Sequence, residues 1–274
     1  MSDIVETFTS MDTRTLIFSL VAAVAPAIFW MIYIYRKDKL EREPISLLIR
    51  MVFGGILSAF AAIILEMIVG YIEAFIFVNV RMDIVLMTFI TAMDVGIVEE
   101  CCKYFFLKKF SWKNKNFNYS FDGVVFAVFT SLGFALFENI LYVFNYGIEV
   151  AGPRALLTIP AHMTFGVFMG VYYGKAKSYE VINNAHQVKK CLRNGVLFAI
   201  VTHGIYDMLA MLCVDSVLYY LAFIIFVVCL DIIVIKCIKK YAREDQNILY
   251  LKEQEADFFE EILPHSIDEM NNVE

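Results

Sequence analysis

Seven apolar segments of about 20 residues or more recur along this sequence, and they restrict what it can fold into. A helix needs roughly 20 apolar residues to cross a bilayer, and membrane spans must satisfy their own backbone hydrogen bonds. With 60% hydrophobic residues, the chain is predicted to be an all-α, polytopic transmembrane bundle. The predicted spans are about 15–35, 45–70, 84–107, 122–146, 155–174, 194–213 and 217–235. Residues 71–80 could extend the second helix, lie at the interface or belong to an eighth span.

The distribution of Lys and Arg predicts the orientation of these spans. Seventeen such residues follow spans 1, 3, 5 and 7, and the opposite side has only Arg14, Arg81 and Arg154. Basic loops face the cytoplasm, so we expect an outside N-terminus and a cytoplasmic C-terminus. We divide the chain into an integral membrane domain, 1–240, and an acidic cytoplasmic tail, 241–274. Its expected surroundings are the lipid bilayer, and no basic surface suggests a nucleic-acid partner.

Ionisable residues interrupt several of the predicted spans. Charged groups near the bilayer centre cost a few kcal/mol each, so they usually face a polar interior and have a function. They lie on four different spans, yet at comparable depth, which predicts that they meet in one water-accessible cavity. These residues are Glu99, Glu100 and Lys103 in VGIVEECCKYF, Glu138, His162, and His203 and Asp207 in HGIYD.

Each of these residues also has a structural explanation when it is considered alone. Lys103 could form an ion pair with Glu99 or Glu100 on the same helix face, but it does not account for both glutamates. A single histidine such as His162 is more often a hydrogen-bonded core residue. Residues 166–174 carry glycine at every fourth position, a pattern that lets membrane helices approach closely. Close packing of this span would bring His162 against its neighbours.

Two carboxylates and two imidazoles in a partly dry cavity can activate water for peptide hydrolysis. An ionised glutamate would act as general base and a protonated one as acid toward the leaving amine. Zn²⁺ or another divalent metal is the alternative activator, with His162, His203 and either Glu138 or Asp207 as its ligands. The sequence leaves the metal-dependent and metal-free mechanisms open.

Four short motifs in order resemble the PrsW family of intramembrane proteases, part of a superfamily that includes CAAX endopeptidases and bacteriocin-immunity-like membrane proteins. The resemblance covers roughly residues 18–213, and the tail lies outside it. Its motifs are EECCK (Glu99, Glu100, Lys103), FALFE (Glu138), PAH (His162) and HGIYD (His203, Asp207). It implies a multi-pass protein of the bacterial cell membrane that cleaves a single-span membrane protein. That substrate is commonly an anti-sigma factor, cleaved in a regulated stress response.

The sequence supports three competing functions. The first is an intramembrane endopeptidase in which Glu100, or else Glu99, is the general base and Lys103 keeps one glutamate ionised. In it His162 and His203 hold the water, Asp207 orients His203, and Glu138 with Asn139 completes the cavity or binds the oxyanion. The second is a proton-coupled carrier, since such residues also form proton relays. The third is a membrane scaffold without catalytic activity.

The predicted orientation can be tested by thiol labelling. A cysteine introduced into the acidic tail should resist a membrane-impermeant reagent in intact cells and react after permeabilisation, because the basic loops place the tail in the cytoplasm. Efficient labelling from outside would reverse the orientation.

Overall fold

The computed structural model describes residues 13–250 of the chain. Most of the predicted acidic tail, from 251 onward, therefore lies outside the described residues. Seven long helices make up the described part. They are α1 (Thr13–Lys37), α2 (Ile45–Asn79), α3 (Ile84–Ser111), α4 (Asp122–Tyr146), α5 (Ile159–Val181), α6 (Ala185–Leu212) and α7 (Val217–Arg243).

The predicted fold class, an all-α polytopic membrane bundle, is confirmed. Within residues 13–250, six of the long helices are apolar and long enough to cross a membrane. The other, α3, contains Asp94, Glu99, Glu100 and Lys103. The seven helices match the seven predicted spans in order. The side of the membrane that each end faces remains a prediction.

Several helix boundaries differ from the predicted spans, and among them α6 begins at Ala185 instead of about 194 and α7 ends at Arg243 instead of about 235. Helix α2 continues for 35 residues to Asn79, so 71–79 is an extension of the second helix and Val80 is its C-cap residue. No proline interrupts this segment, and the extension places Glu66 well inside the helix instead of at its end. The span predicted over 155–174 begins with a π-helical turn, Arg154–Thr158. Helix α5 then continues past 174 to Val181, and its last turns consist largely of polar residues.

Helices α4 and α5 form the centre of the bundle. In the most apolar stretch of α4, 72% of the residues are buried inside the protein, whereas in α1, α2 and α7 the buried share is 28%. Glycine permits the close crossing of the two central helices. A Cβ atom on Gly170 would lie 2.6 Å from Val124 Cα and 2.7 Å from the Gly123 carbonyl oxygen. The prediction that the glycine stripe packs closely is thus confirmed, and it holds His162 of α5 against α4.

After α7 the chain folds back as a short segment, 244–250, which contacts the connection before α4. Tyr119 and Asn247 form an antiparallel bridge. The Asp245 carboxylate accepts hydrogen bonds from Ser120 Oγ at 2.9 Å and the Phe121 backbone N–H at 2.8 Å. Ile248 is 1% exposed. The first residues of the predicted tail are therefore packed on the membrane domain.

The α4–α5 crossing can be tested with two glycine substitutions. Gly170→Ala should lower the melting temperature in detergent by several degrees, because overpacking costs about 1–3 kcal/mol. Gly70→Ala is the matched control, since nothing lies within 4 Å of its added Cβ and alanine favours helix. Equal melting temperatures for the two variants would contradict the close crossing.

Candidate active site

The Lys103 ammonium group lies at the centre of the polar residues of the bundle. Helical spacing brings Glu99, Glu100 and Lys103 to one face of α3. Lys103 Nζ donates to Glu99 Oε2 at 2.9 Å and to Glu100 Oε1 at 2.7 Å, and it lies 3.2 Å from His162 Nδ1. It also lies 4.0 Å from the centre of the Phe134 ring. All three α3 residues are buried, so the lysine compensates two carboxylates that lipid could not solvate.

His203 of α6 lies between two carboxylates. Its Nδ1 is 2.9 Å from Glu100 Oε1, and its Nε2 is 3.2 Å from Asp207 Oδ2, one turn further along the same helix. The Phe165 ring stacks on the imidazole with ring centres 4.5 Å apart. Both ring nitrogens and one ring face are therefore held, which fixes the orientation of His203.

His162 connects the lysine to a second ion pair on the other side of the cavity. Because its Nδ1 faces the Lys103 ammonium, Nδ1 is the acceptor and Nε2 carries the proton toward Glu138 Oε2 at 3.1 Å. Arg154 Nη2 donates to the same Glu138 oxygen at 2.8 Å, and Arg154 Nε donates to Asn139 Oδ1 at 2.8 Å. Asn139 Nδ2 donates to the Ala23 carbonyl oxygen at 2.7 Å. Asn139 thus anchors Arg154 and α1.

The structure brings all seven sequence-predicted residues into one network beside a cavity of about 510 Å³. Five of them line the cavity, namely Glu99, Glu138, His162, His203 and Asp207. Glu100 and Lys103 do not line it and lie behind Glu99. Glu100 is fully buried, and its Oε2 has no hydrogen-bond partner among the described residues. The two adjacent glutamates therefore have different surroundings.

Two ionisable residues of the cavity wall were not predicted as site residues. Glu66 lines the cavity from within α2, and its Oε1 is buried without a partner among residues 13–250. Arg154 was counted only as one of three basic residues on the outer side. The apolar character of residues 67–80, interrupted by Glu73 and Asn79, could have indicated that Glu66 lies inside a longer helix. Nothing local in the sequence indicates that Arg154 reaches Glu138.

One group of side chains is compact enough to hold a metal ion, but its atoms already surround the Lys103 ammonium group. Single atoms of Glu99, Glu100 and His162 lie within 4.8 Å of one another. The predicted set of His162, His203 and Glu138 does not form such a compact group in the described part of the chain. Lys103 Nζ lies within 3.2 Å of each of the three atoms. The residues as arranged therefore do not fit a divalent metal unless the ammonium moves away.

The chain is similar to known proteins over most of its length. Residues 43–233 match the family described as PrsW family intramembrane metalloprotease. The chain belongs to the PrsW family. Protease PrsW of Geobacillus kaustophilus is 34% identical over 204 residues, which cover 70% of this chain and 80% of that protein. Protease PrsW of Bacillus subtilis is 31% identical over 206 residues (75% and 88%), and that of Clostridioides difficile is 30% identical over 232 residues (83% and 93%). No solved structure matches the chain.

PrsW membership confirms several expectations from the sequence. The protein is an intramembrane protease, hence a peptide hydrolase, and a multi-pass protein of a bacterial cell membrane. The enzyme hypothesis is therefore favoured over the carrier and scaffold hypotheses. The family description includes a metal, although the ligand positions in this chain surround Lys103.

Removal of the central cation should destabilise the protein. Lys103→Met leaves the buried Glu99 and Glu100 without their ion-pair partner, and such a loss costs about 3–5 kcal/mol. We expect a melting temperature lower by several degrees, or no folded protein in the membrane. Lys108→Met, an exposed lysine on the same helix, is the control. A stable Lys103→Met protein would show that the glutamates do not need this ammonium.

Proposed function

We propose that this protein hydrolyses a peptide bond in or near the membrane-spanning segment of a single-span membrane protein, with Glu99 as general base. The observation that carries this assignment is the position of Glu99, which both contacts Lys103 and lines the cavity. A general base must reach the water that it deprotonates. Glu100 was preferred from the sequence, but it does not line the cavity and both Lys103 and His203 contact its Oε1.

The surrounding residues support a glutamate-activated water. Lys103 favours the ionised form of Glu99 before the reaction, as a nearby opposite charge does. After Glu99 takes a proton from water, it can deliver that proton to the leaving amine. Asp207 holds the His203 imidazole so that its Nε2 lies 3.9 Å from Glu99 Oε2, beside the water that Glu99 activates.

Arg154 is the best placed group to stabilise the oxyanion. It lines the cavity and carries a permanent positive charge, whereas a carboxylate such as Glu138 would repel a developing negative charge. The Tyr142 ring lies 3.8 Å from its guanidinium carbon, and Glu138 and Asn139 fix the fork of the guanidinium. The expected role of Glu138 and Asn139 at the oxyanion thus becomes the positioning of Arg154.

The cavity suits an unwound peptide segment. Its lining extends from Glu99 to Tyr146 and Met211, which lie at or near the predicted outer ends of α4 and α6. A substrate helix must unwind before its carbonyl carbon becomes accessible, and its freed N–H groups then need acceptors. Glu66 offers a buried carboxylate oxygen without a partner for this purpose. By resemblance to the family, an anti-sigma factor is the expected substrate.

The proposed roles can be tested with a reconstituted single-span substrate. Glu99→Gln should lower the cleavage rate by several orders of magnitude, because the amide cannot accept the proton of water. His203→Ala should have a similar effect, and the double variant should lose little more, because residues that act as a unit are not additive. Asp94→Asn is the matched control on the same helix, outside the residues that line the cavity.

Two results would contradict the proposal. Near-normal cleavage by the Glu99→Gln protein would exclude this glutamate as the base. Loss of wild-type activity after chelation, with recovery on addition of Zn²⁺, would show that a metal replaces Lys103 among Glu99, Glu100 and His162. The arrangement of Lys103 predicts that a chelator leaves the activity unchanged.

A further inference from the structure

A second group of buried acids lies outside the catalytic cavity, at the end of the bundle predicted to face the cytoplasm. Asp38 and Glu43 belong to the connection between α1 and α2, and Asp122 is the first residue of α4. Their exposed fractions are 1%, 3% and 0%. Buried carboxylates are expensive unless they are paired, hydrogen-bonded or bound to a metal. Three of them so close to one another therefore require a compensating cation or proton.

The described residues leave four oxygens of this group without a hydrogen-bond partner. They are both carboxylate oxygens of Asp38, Oε2 of Glu43 and Oδ1 of Asp122. The second oxygen of Asp122 is held by the backbone N–H groups of Asn118 at 3.0 Å and Tyr119 at 2.7 Å. Asp122 is thus fixed by one oxygen while the other stays free to bind a ligand.

The free oxygens belong to one cluster. Asn118 joins the two parts of the cluster, because its backbone N–H donates to Asp122 Oδ2 at 3.0 Å and its side-chain amide donates to Glu41 Oε2 at 2.9 Å, two residues before Glu43. Asp38 and Asp122 are electrostatic neighbours of Glu43, and burial and the charge of Asp38 raise the pKa of Glu43 to about 8. Burial and the charge of Asp245 raise the pKa of Asp38 to about 6. The positive charge of Arg42 acts on Asp38, but Arg42 is an exposed side chain whose guanidinium lies over the Tyr35 ring. No salt bridge within 4.0 Å compensates Asp38, Glu43 or Asp122 in the described part of the chain.

We propose that Asp38, Glu43 and Asp122 bind a hard divalent cation, Mg²⁺, and that this ion joins the α1–α2 connection to the start of α4. The donor set consists of carboxylate oxygens, which suit Mg²⁺ and Ca²⁺ better than Zn²⁺. These acids are not among the compact ligand groups with atoms within 4.8 Å of one another, a criterion that Glu99, Glu100 and His162 meet. Mg²⁺ remains compatible with this wider spacing because it usually keeps several waters, so that it binds one or two of the acids directly and the others through its bound waters.

The ion would also stabilise the segment that follows α7. Asp245 is a charged neighbour of Asp38, and its carboxylate binds Ser120 and Phe121 next to Asp122. A bound cation removes the repulsion between these acids and thereby strengthens the contact of 244–250 with the membrane domain. The proposed site thus connects α4, which carries Glu138, to the first residues of the acidic tail.

Thermal unfolding of the full-length protein in detergent tests this site. After treatment with a chelator, millimolar Mg²⁺ should raise the melting temperature of the wild-type protein by about 3 °C or more. Asp38→Asn and Glu43→Gln keep the size of the side chains but remove charged ligands, so both variants should lose this increase. Asp215→Asn, an exposed acid distant in sequence, should keep it. Glu99→Gln should also keep it, which separates this site from the catalytic cavity.

Binding of Mn²⁺, used as a paramagnetic substitute for Mg²⁺, gives a second readout by electron paramagnetic resonance. The wild-type and Glu99→Gln proteins should bind one more Mn²⁺ than the Glu43→Gln protein. A Mg²⁺ effect that persists in both Asp38→Asn and Glu43→Gln would overturn the proposal.

The rival explanation is that protons alone compensate the acids. Because the folded protein then holds protons that the unfolded chain releases, its stability should fall as the pH rises from about 4.5 to about 8, the pKa reached by Glu43. A wild-type protein that shows this fall and does not respond to Mg²⁺ or bind Mn²⁺ there would overturn the proposed cation site.

Discussion

A lysine ammonium group buried among apolar helices is the interaction on which the rest of this structure depends. Lys103 contacts two glutamates of its own helix and a histidine of α5, and one of those glutamates contacts His203 of α6. A buried charge that loses its partner costs several kcal/mol, so none of these helices can move away independently. The contacts that neutralise these buried charges are therefore the same contacts that bring the catalytic residues together.

Glycine makes this convergence sterically feasible. In a bilayer the hydrophobic effect does not drive helices together, so their association depends on close packing and polar contacts. At Gly170, α5 approaches α4 so closely that a methyl group would lie 2.6 Å from Val124 Cα. His162 is eight residues away on the same face of α5. Its place between Lys103 and Glu138 follows from that crossing.

The sequence predicted the helices because each is a long apolar segment. It predicted the seven polar residues because each interrupts such a segment. It did not predict the outline of the cavity. Adjacent helical residues point about 100° apart, so whether Glu99 or Glu100 faces the cavity depends on the rotation of α3 against its neighbours. Arg154, which reaches Glu138, is the first residue of a π-helical turn before α5. Such features arise from packing between helices, and the residues concerned are distant in sequence.

The charges on the cavity wall explain how water can reach a bond inside the bundle. Lys103 compensates Glu99 from behind, Arg154 compensates Glu138, and His203 pairs with Asp207. Glu66 is different, because one of its oxygens is buried and has no partner among the described residues. An unpaired polar group favours hydration wherever the cavity has space for water. A catalytic base in an apolar bundle is useful only if water stays beside it. Glu66 and Glu99, which both line this cavity, provide that condition.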